Sequence, residues 1–557
     1  MIVNVEKMTI KHLLQRSFSL YPSLPCLAFY DEKPITYAEV QKQIYDLSVK
    51  LLSLGVEKGD RIGLLGDNSP NWTIAYLAIT SMGAVAVPIL PGFPENDIRH
   101  IVRHAGCKAV FVGEKYRQKL EELQAFPLVL FALETLEGED AEKTHPSLYA
   151  KIMHKKSVKT SPADLPEPAE EDLAAIIYTS GTTGNSKGVM LSQRNIAFDI
   201  VHSIERFPIT SADRFLSILP LSHAFETTGG MLCPLTVGVS IYYLKGMPTP
   251  QKLLTATETV KPTGILTVPL VVDKIYRKRI LPKMQGKVIS RLYNKPFFRK
   301  QLHKMAGKKL IKSLGGSLRF FMFGGASLNL DVETFLRDAE ISYSSGYGMT
   351  ETSPIMTINP FGAVKVGSCG KPIPGIEMKI DQPNPETGIG EIIVRGAIVM
   401  QGYYKNPTAT AETFLADGWF RTGDLGYFDQ EGYLFIKGRS KNVIVGPSGE
   451  NIYPEIVEQV LLQSPFIMEC VVYSLKGRLL AKVYLDSDVL DQEMANRGMD
   501  SSQSASFITE VLENSRKAAN RELPLFSHLQ QIVEHPEPFE KTPTNKVKRY
   551  LYIPEER

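Results

Sequence analysis

Cysteine is scarce, five in 557 residues, and the positions 26, 107, 233, 369 and 470 include no CxxC pair. That spacing argues against a disulfide framework and a zinc ribbon, and fits a reducing compartment. The opening stretch from Met1 to Ile10 has neither the basic nor the apolar region of a secretory signal, so a cytoplasmic location is expected. Residues 72–94 carry no charge, but Gly83, Pro88, Pro91 and Gly92 break them. They read as helix, turn and strand, not as a membrane span. Acidic residues are missing from 274–312, which hold fourteen Lys/Arg, so the formal net charge of +3 leaves −11 for the rest of the chain. Tyr276, Tyr293, Phe297 and Phe298 interleave with those cations. Two readings stand side by side: a segment lying on anionic lipid at the inner face of a membrane, or a helical face opposite acidic patches of the same protein. No nucleic-acid motif accompanies the charge, so nucleic acid is not expected as a partner. Oligomeric state is not legible.

What is present is apolar residue enough, 43%, for three or four domain-sized units. Thr36-x-x-Glu39 forms a capping box ahead of Val40, Ile44, Leu47, Leu51 and Leu54 at helical spacing, with Gly55 as the stop. Arg61 to Gly66 reads as a strand, and helical and strand-like segments alternate to about residue 350, the pattern of an α/β fold with mainly parallel sheets. From about 364 short strands between Gly and Pro turns, such as Gly390 to Gly396, mark a small β-rich subdomain. A boundary falls near 438–442, dividing the chain into 1–438 and 439–557. The second part has strands at 470–474 and 480–485, a polar stretch at 486–505 and a helix around 506–522. His100 and His104 stand four residues apart with Cys107 close behind, yet without an HExxH glutamate they read as part of an ordinary helix ending at Gly106.

The densest chemical signal is Tyr178-Thr-Ser-Gly-Thr-Thr-Gly-Asn-Ser-Lys-Gly-Val189. Gly181, Gly184 and Gly188 let amide N–H groups approach an anion. The hydroxyls of Thr179, Ser180, Thr182 and Thr183 add neutral donors, and Lys187 adds a compact charge. The apolar run 174–178 before it reads as a buried strand. A triphosphate is the natural guest, although the spacing is not that of GxxxxGK[ST].

This loop resembles the phosphate loop of the adenylate-forming superfamily, which includes acyl-CoA synthetases, luciferases and peptide-synthetase adenylation domains. Later motifs follow in family order. Ser345 to Thr352 is similar to the YGxTE element, which implies Gly346, Tyr347 and Gly348 beside adenine, Thr350 at the phosphate that stays with the adenylate, and Glu351 as a magnesium ligand. Gly324 to Ser327 resembles the adenine-edge loop, implicating Gly325, Ala326 and Ser327. Trp419 to Gly426 matches the TGD motif, which gives Asp424 the ribose hydroxyls, with Arg439 as a second ribose contact and Lys441 as interdomain hinge. Glu540 to Arg549 resembles the catalytic-lysine motif, making Lys546 the catalytic lysine; Asn545 stands where many relatives have glycine, and Lys541, Lys548 and Arg549 read as surface charge.

Leu219 to Glu226 is similar to the PLxHxFE form of long-chain acyl-CoA synthetases, which implies His223 near the acyl carboxylate. No Asp lies between 214 and 272, which disfavours an amino acid substrate. The resemblance runs from the Asn68 to Trp72 region through Lys546. It implies a large N-terminal region of parallel α/β sheet subdomains with a small β-rich subdomain, then a smaller mobile α+β C-terminal domain. The implied activity is ATP- and Mg²⁺-dependent conversion of a fatty acid, long-chain by motif, to acyl-AMP, then to acyl-CoA with release of AMP. Coenzyme A would meet the 446–451 loop, with Gly449, Glu450 and Asn451. A fatty acyl-AMP ligase or acyl-carrier-protein synthetase shares every adenylation motif and remains an alternative. A non-catalytic lipid-binding relative would be expected to lose Lys546, Glu351 or Asp424, and all three are present. Acyl chain length is not legible.

Overall fold

A computed structural model describes residues 5–123, 128–138, 165–179, 186–246, 249–284, 289, 293, 295–446, 449–542 and 546–554. Two large sheets organise the first two thirds. In the nine-stranded sheet the strands Tyr343–Gly348, Phe320–Phe323, Gly264–Thr267, Arg214–Ser217, Ser240–Tyr243 and Pro25–Phe29 lie side by side and parallel. In the eight-stranded sheet Leu173–Thr179, Val85–Ile89, Arg61–Leu65, Cys107–Val112 and Val129–Ala132 do the same. Parallel strands demand cover on both faces, and their residues are apolar almost throughout.

The main core lies between these sheets, where helices Ile10–Leu20, Tyr37–Ser53, Pro70–Ser81 and Gln193–Ile204 contribute buried side chains to one cluster. Thr36 caps the second of these helices as expected: its Oγ1 accepts from the Glu39 amide at 3.3 Å, and Glu39 accepts from the Thr36 amide at 2.6 Å. The uncharged run 72–94 is explained by depth. Trp72 to Thr80 are buried on every side of the third helix, and the strand Val85–Ile89 is buried throughout. No helix among the described residues is long and apolar enough to cross a membrane.

The β-rich subdomain is a four-stranded antiparallel sheet of Glu377–Asp381, Gly390–Arg395, Phe420–Phe428 and Leu434–Arg439. Beyond it, Ile467–Leu475, Arg478–Leu485 and Gln531–Glu534 form a three-stranded sheet packed by helices Pro454–Leu461 and Ser504–Glu522 over a core of their own.

One expectation needs correction, and others gain detail. The polar stretch 486–505 holds a helix, Ser487–Arg497, capped by Asp486 and ended by Gly498 at φ +66°. It buries only Leu490 and Met494, too few apolar positions to show as a period. The basic segment is not uniformly outward. Tyr276 is buried, and its hydroxyl lies 3.3 Å from that of Tyr293, which meets His303. Arg277, Lys278, Arg299 and Lys304 have acidic partners at Asp273, Asp486 and Asp488, Asp338 and Glu340. Phe297, Phe298 and Met305, on the helix Pro296–Ser313, are exposed. The helix carrying His100 and His104 ends at Gly106, φ +66°, and His104 Nδ1 pairs with the Tyr178 hydroxyl at 2.7 Å. All five cysteines are free thiols.

Gly264 shows how tightly the strands approach: a Cβ there would fall 2.2 Å from the Phe215 ring of the neighbouring strand. Overpacking of this kind costs about 1–3 kcal/mol. Gly264→Ala should lower the urea unfolding midpoint accordingly, and an unchanged midpoint would show that the Phe215 ring gives way freely.

Candidate functional site

Asp424 is 6% exposed in the middle of the strand Phe420–Phe428. Its register partner on the adjacent strand is Arg439. The Tyr347 hydroxyl donates to Asp424 Oδ2 at 2.7 Å, and Arg439 Nε forms an ion pair with Oδ1 at 3.1 Å. Burial, and then the Asp424 charge, hold the Tyr347 phenol well above its usual pKa, so it keeps the proton it donates. Tyr347 stands on Tyr343–Gly348, so this carboxylate ties the nine-stranded sheet to the β-rich one. Gly346 and Gly348 flank it for a backbone reason. A Cβ on Gly346 would lie 2.5 Å from the Thr357 carbonyl oxygen, and one on Gly348 1.6 Å from that of Pro354.

Gly325, Ala326 and Ser327 are exposed just beyond the C-terminal end of the parallel strand Phe320–Phe323, where ligands of open α/β sheets bind. Gly325 takes φ +83°, and a Cβ on Gly324 would meet the Phe225 ring at 2.8 Å. Thr350 and Glu351 open a short 3₁₀ turn after the same sheet's Tyr343–Gly348 strand. Glu351 is buried, and Tyr403 donates to its Oε1 at 2.9 Å. The Lys187 ammonium sits 5.0 Å from the centre of the Tyr403 ring. Tyr403, which sequence reasoning missed, thus joins the phosphate-loop lysine to the acidic residue. Its only local signal was an aromatic pair in Gly402-Tyr-Tyr404, a common surface pattern.

Thr179 pairs with Lys187 across an antiparallel hairpin, so Lys187 stands on the returning strand Lys187–Ser192 instead of in the loop itself. Ser180, Gly181, Thr182, Thr183 and Gly184 lie outside the described residues.

His223 sits in the loop after Arg214–Ser217, half-buried, with Nδ1 accepting from the Phe225 amide at 3.3 Å. Nε2 therefore carries the proton of the neutral ring. Burial, with Lys546 adding to it, pushes the imidazole down to about 4. Asn68 fastens this loop: its Nδ2 donates to Ser217 Oγ at 2.9 Å and to the Leu219 carbonyl at 2.6 Å, while its Oδ1 accepts from the Leu221 amide at 2.8 Å. Glu226, fully buried and pushed up to about 8 by burial, accepts from Ser217 Oγ at 2.6 Å and is neutral near pH 7.

Lys546 arrives from the last part of the chain. Solvent reaches it, yet enough protein surrounds its ammonium that burial lowers its pKa; Arg439 adds to the fall, and Asp424 and Glu351 oppose it. The same lysine is felt at His223. Lys546 is held by its backbone, which exchanges hydrogen bonds with Thr542. Lys541 and Arg549 are anchors, not free surface charge, whereas Lys548 pairs with the exposed Glu540 at the surface. Lys541 pairs with Glu469 at 2.5 Å and Lys548 with Glu540 at 3.3 Å. Arg549 binds Glu458 at 2.6 Å and the Val472 carbonyl at 2.7 Å.

Lys441 lies exposed in the turn Ser440–Asn442. Asn451 stands on the strand Asn451–Ile452, which pairs with Ile444–Val445. The Gly446 amide closes their hairpin on the Glu450 carbonyl at 2.7 Å, and Gly449 takes φ +91°.

The described residues hold no group of three or more His, Cys, Asp or Glu side chains placed to share a metal. Glu351, with one oxygen occupied by Tyr403, fits a hard cation that takes most of its ligands from phosphate and water.

A cleft where strand ends of two sheets meet a buried carboxylate, and where a lysine enters from the chain's far end, is the cleft of an α/β enzyme that handles an anionic ligand. Residues 14–404 match the model of the AMP-binding enzyme family, and the chain belongs to it. It is 31% identical over 506 residues to the peroxisomal long chain acyl-CoA synthetase 6 of Arabidopsis thaliana, across 84% of this chain and 71% of that one. It is 29% identical over 540 residues to a chloroplastic long-chain-fatty-acid–[acyl-carrier-protein] ligase of the same plant, across 82% and 73%. O-succinylbenzoate coenzyme A synthetase from Bacillus subtilis, in complex with ATP and magnesium ion, has the same fold: TM-score 0.73 at 22% identity, across 97% of this chain and 98% of that one.

The His223 ring yields a pH prediction. An unfolded histidine titrates near pH 6.5, roughly, and the folded one lower, so the unfolded state takes the proton first as pH falls. His223 therefore weakens the fold progressively from about pH 6.5 down to about 4. His223→Gln should flatten the melting-temperature profile in that window; an unaltered profile would assign the slope to other groups.

Proposed function

We propose that the protein is an acid–thiol ligase that converts a long-chain fatty acid to its coenzyme A thioester through acyl-AMP. The observation that carries this reading is the buried Asp424 carboxylate held between Tyr347 and Arg439, with Lys546 from the far end of the chain feeling its charge and those of Arg439 and Glu351. The family and the 31% identical relative support the reaction class.

In the first half-reaction a fatty carboxylate oxygen attacks the α-phosphorus of ATP, and the bond to pyrophosphate breaks. Tyr347 and the Gly325 to Ser327 loop hold the base. Asp424 receives the ribose hydroxyls; a carboxylate has about four lone-pair sites, so Tyr347 and Arg439 leave room for them. Lys187, Thr179 and the loop residues 180–184 bind the phosphates. Thr350 contacts the phosphate that stays with the adenylate. Lys546 stabilises the charge that develops on the oxygens between donor and acceptor. Mg²⁺ held by Glu351 would supply Lewis-acid charge neutralisation at the phosphates. Neutral His223, with its Nε2 proton, orients the acyl carboxylate.

In the second half-reaction the unit 439–557 turns about Lys441, withdraws Lys546 from the domain 1–438, and presents Gly449, Glu450 and Asn451 to coenzyme A. The thiolate attacks the acyl carbonyl, and the C–O bond to AMP breaks. A carrier-protein thiol is the second reading, favoured by the 29% identical ligase.

A panel of fatty acids scored by pyrophosphate release and thioester formation, with coenzyme A or holo-carrier protein, tests the substrate and acceptor. Pyrophosphate release with none of them would reject the reading. Lys546→Ala should reduce acyl-AMP formation by more than about a hundredfold, the scale of losing a preorganised transition-state charge. Thioester formation from supplied acyl-AMP should persist, and an equal fall in both steps would remove the assigned role.

A water-insoluble substrate motivates peripheral contact with a membrane at the cytoplasmic face. The surface proposed for it is the helix Pro296–Ser313, where exposed Phe297, Phe298 and Met305 stand among lysines. Each cation at an anionic surface contributes about 1 kcal/mol, weakened by salt. Vesicles of anionic lipid should retain the protein at low salt while neutral vesicles do not. Phe297→Ala with Phe298→Ala should weaken retention, and equal partitioning would sink the idea.

A further inference from the structure

The helix Pro454–Leu461 makes three contacts that together set where Lys546 stands. From its middle, Glu458 holds Arg549, three residues beyond Lys546, at 2.6 Å. From the next position, Gln459 Nε2 donates to the Leu328 carbonyl at 3.4 Å, directly beyond the exposed Ser327 loop. At its C-terminal end the Arg277 guanidinium donates to the Leu462 carbonyl and, at 3.1 Å, to the Ser464 carbonyl. The Leu462 carbonyl caps the negative end of the helix dipole and the Ser464 carbonyl lies in the turn just beyond it, a pair of acceptors that suits a forked cation. Arg277 is itself aimed by Asp273, at 3.0 Å from its Nε. Beside it Lys278 reaches Asp488 at 3.0 Å and Asp486 at 3.6 Å.

We propose that Arg277 is a positioning residue for the adenylation step: it latches the C-terminal unit by the end of the helix Pro454–Leu461, and so holds Lys546 in the cleft. This inference rests on the function proposed above. Arg277 lies on the N-terminal side of the cleft and touches none of the reacting groups. The path from its guanidinium to Lys546 is one helix and one part-buried ion pair. Lys278 adds little, because its side chain is 45% exposed and that of Asp488 80% exposed, which leaves their attraction screened. Arg277, only 19% exposed, keeps its hydrogen bonds out of water. The latch must open for coenzyme A to be used, so its loss should separate the two half-reactions.

Arg277→Ala should lower acyl-AMP formation by about tenfold or more, the scale of losing hydrogen bonds from a charged group. Thioester formation from supplied acyl-AMP should hold or rise. Arg277→Lys, which keeps the charge and loses the fork, should fall between wild type and Arg277→Ala. A readout independent of activity comes from spin labels on Leu20→Cys and Leu525→Cys, both at exposed positions, 54% and 84%. Pulsed dipolar spectroscopy should give one dominant distance in the otherwise native protein and a second population with Arg277→Ala. An unchanged distance distribution, or equal loss in both half-reactions, would overturn the latch. Because the distance measurement needs no substrate, it decides the latch even if no fatty acid supports pyrophosphate release and the functional reading fails.

Discussion

The Asp424 carboxylate is the group on which the cleft is built. It is buried, and a buried carboxylate is tolerable only where donors surround it. Tyr347 brings a hydrogen-bond donor from the nine-stranded sheet, and Arg439 brings a compensating positive charge from the last strand of the β-rich sheet. Arg439 is followed at once by the turn Ser440–Asn442. One anion therefore ties two sheets together just ahead of that turn. It also lies within the field that reaches Lys546.

Much of this was legible in the sequence because it is local. The capping box at Thr36, the stop at Gly55 and the apolar run before Thr179 depend on neighbours within about one turn, and each stands in the structure as read. The family motifs named Asp424, Tyr347, Arg439, Glu351 and Lys546, and the fold brings these five together. The phosphate loop was legible as composition, though not as a hairpin with Lys187 on its returning strand. The domain boundary and the hinge at Lys441 stay readings of the motif.

What escaped is non-local. Tyr403 meets Glu351 across 52 positions of chain, and Asn68 grips the His223 loop from 153 positions away. Arg549 reads as one more cation in Lys546-Val-Lys-Arg549 until Glu458, 91 positions earlier, is found beneath it. The basic segment shows the same limit most clearly. Charge alone could not say that its first cations turn inward to the C-terminal unit while Phe297 and Phe298 stay exposed, because a cation's partner is set by packing, not by its neighbours in sequence. The helix Ser487–Arg497 was missed for another reason. It lies on the surface of a small domain, and two buried side chains are too few to impose a period.

The electrostatics of the cleft explain why closure of the C-terminal unit needs a mechanical hold. Burial is the largest cause that lowers the Lys546 pKa; Arg439 repels the ammonium and adds to the fall, while Asp424 and Glu351 attract it and oppose the fall. A phosphate placed between the two cations reverses the sign of the interaction, in a cleft where low dielectric strengthens every term. Because burying the ammonium costs solvation, contacts far from the charge add to the hold on the C-terminal unit, and Arg277 meets the end of the helix Pro454–Leu461 there. Once the polyphosphate is bound, Lys546 supplies attraction of its own. On the function proposed, most of that attraction leaves with pyrophosphate, and the unit is returned to the same modest contacts. On this reading a latch of a few hydrogen bonds is strong enough to present Lys546 to the first substrate, and weak enough to release it for the second.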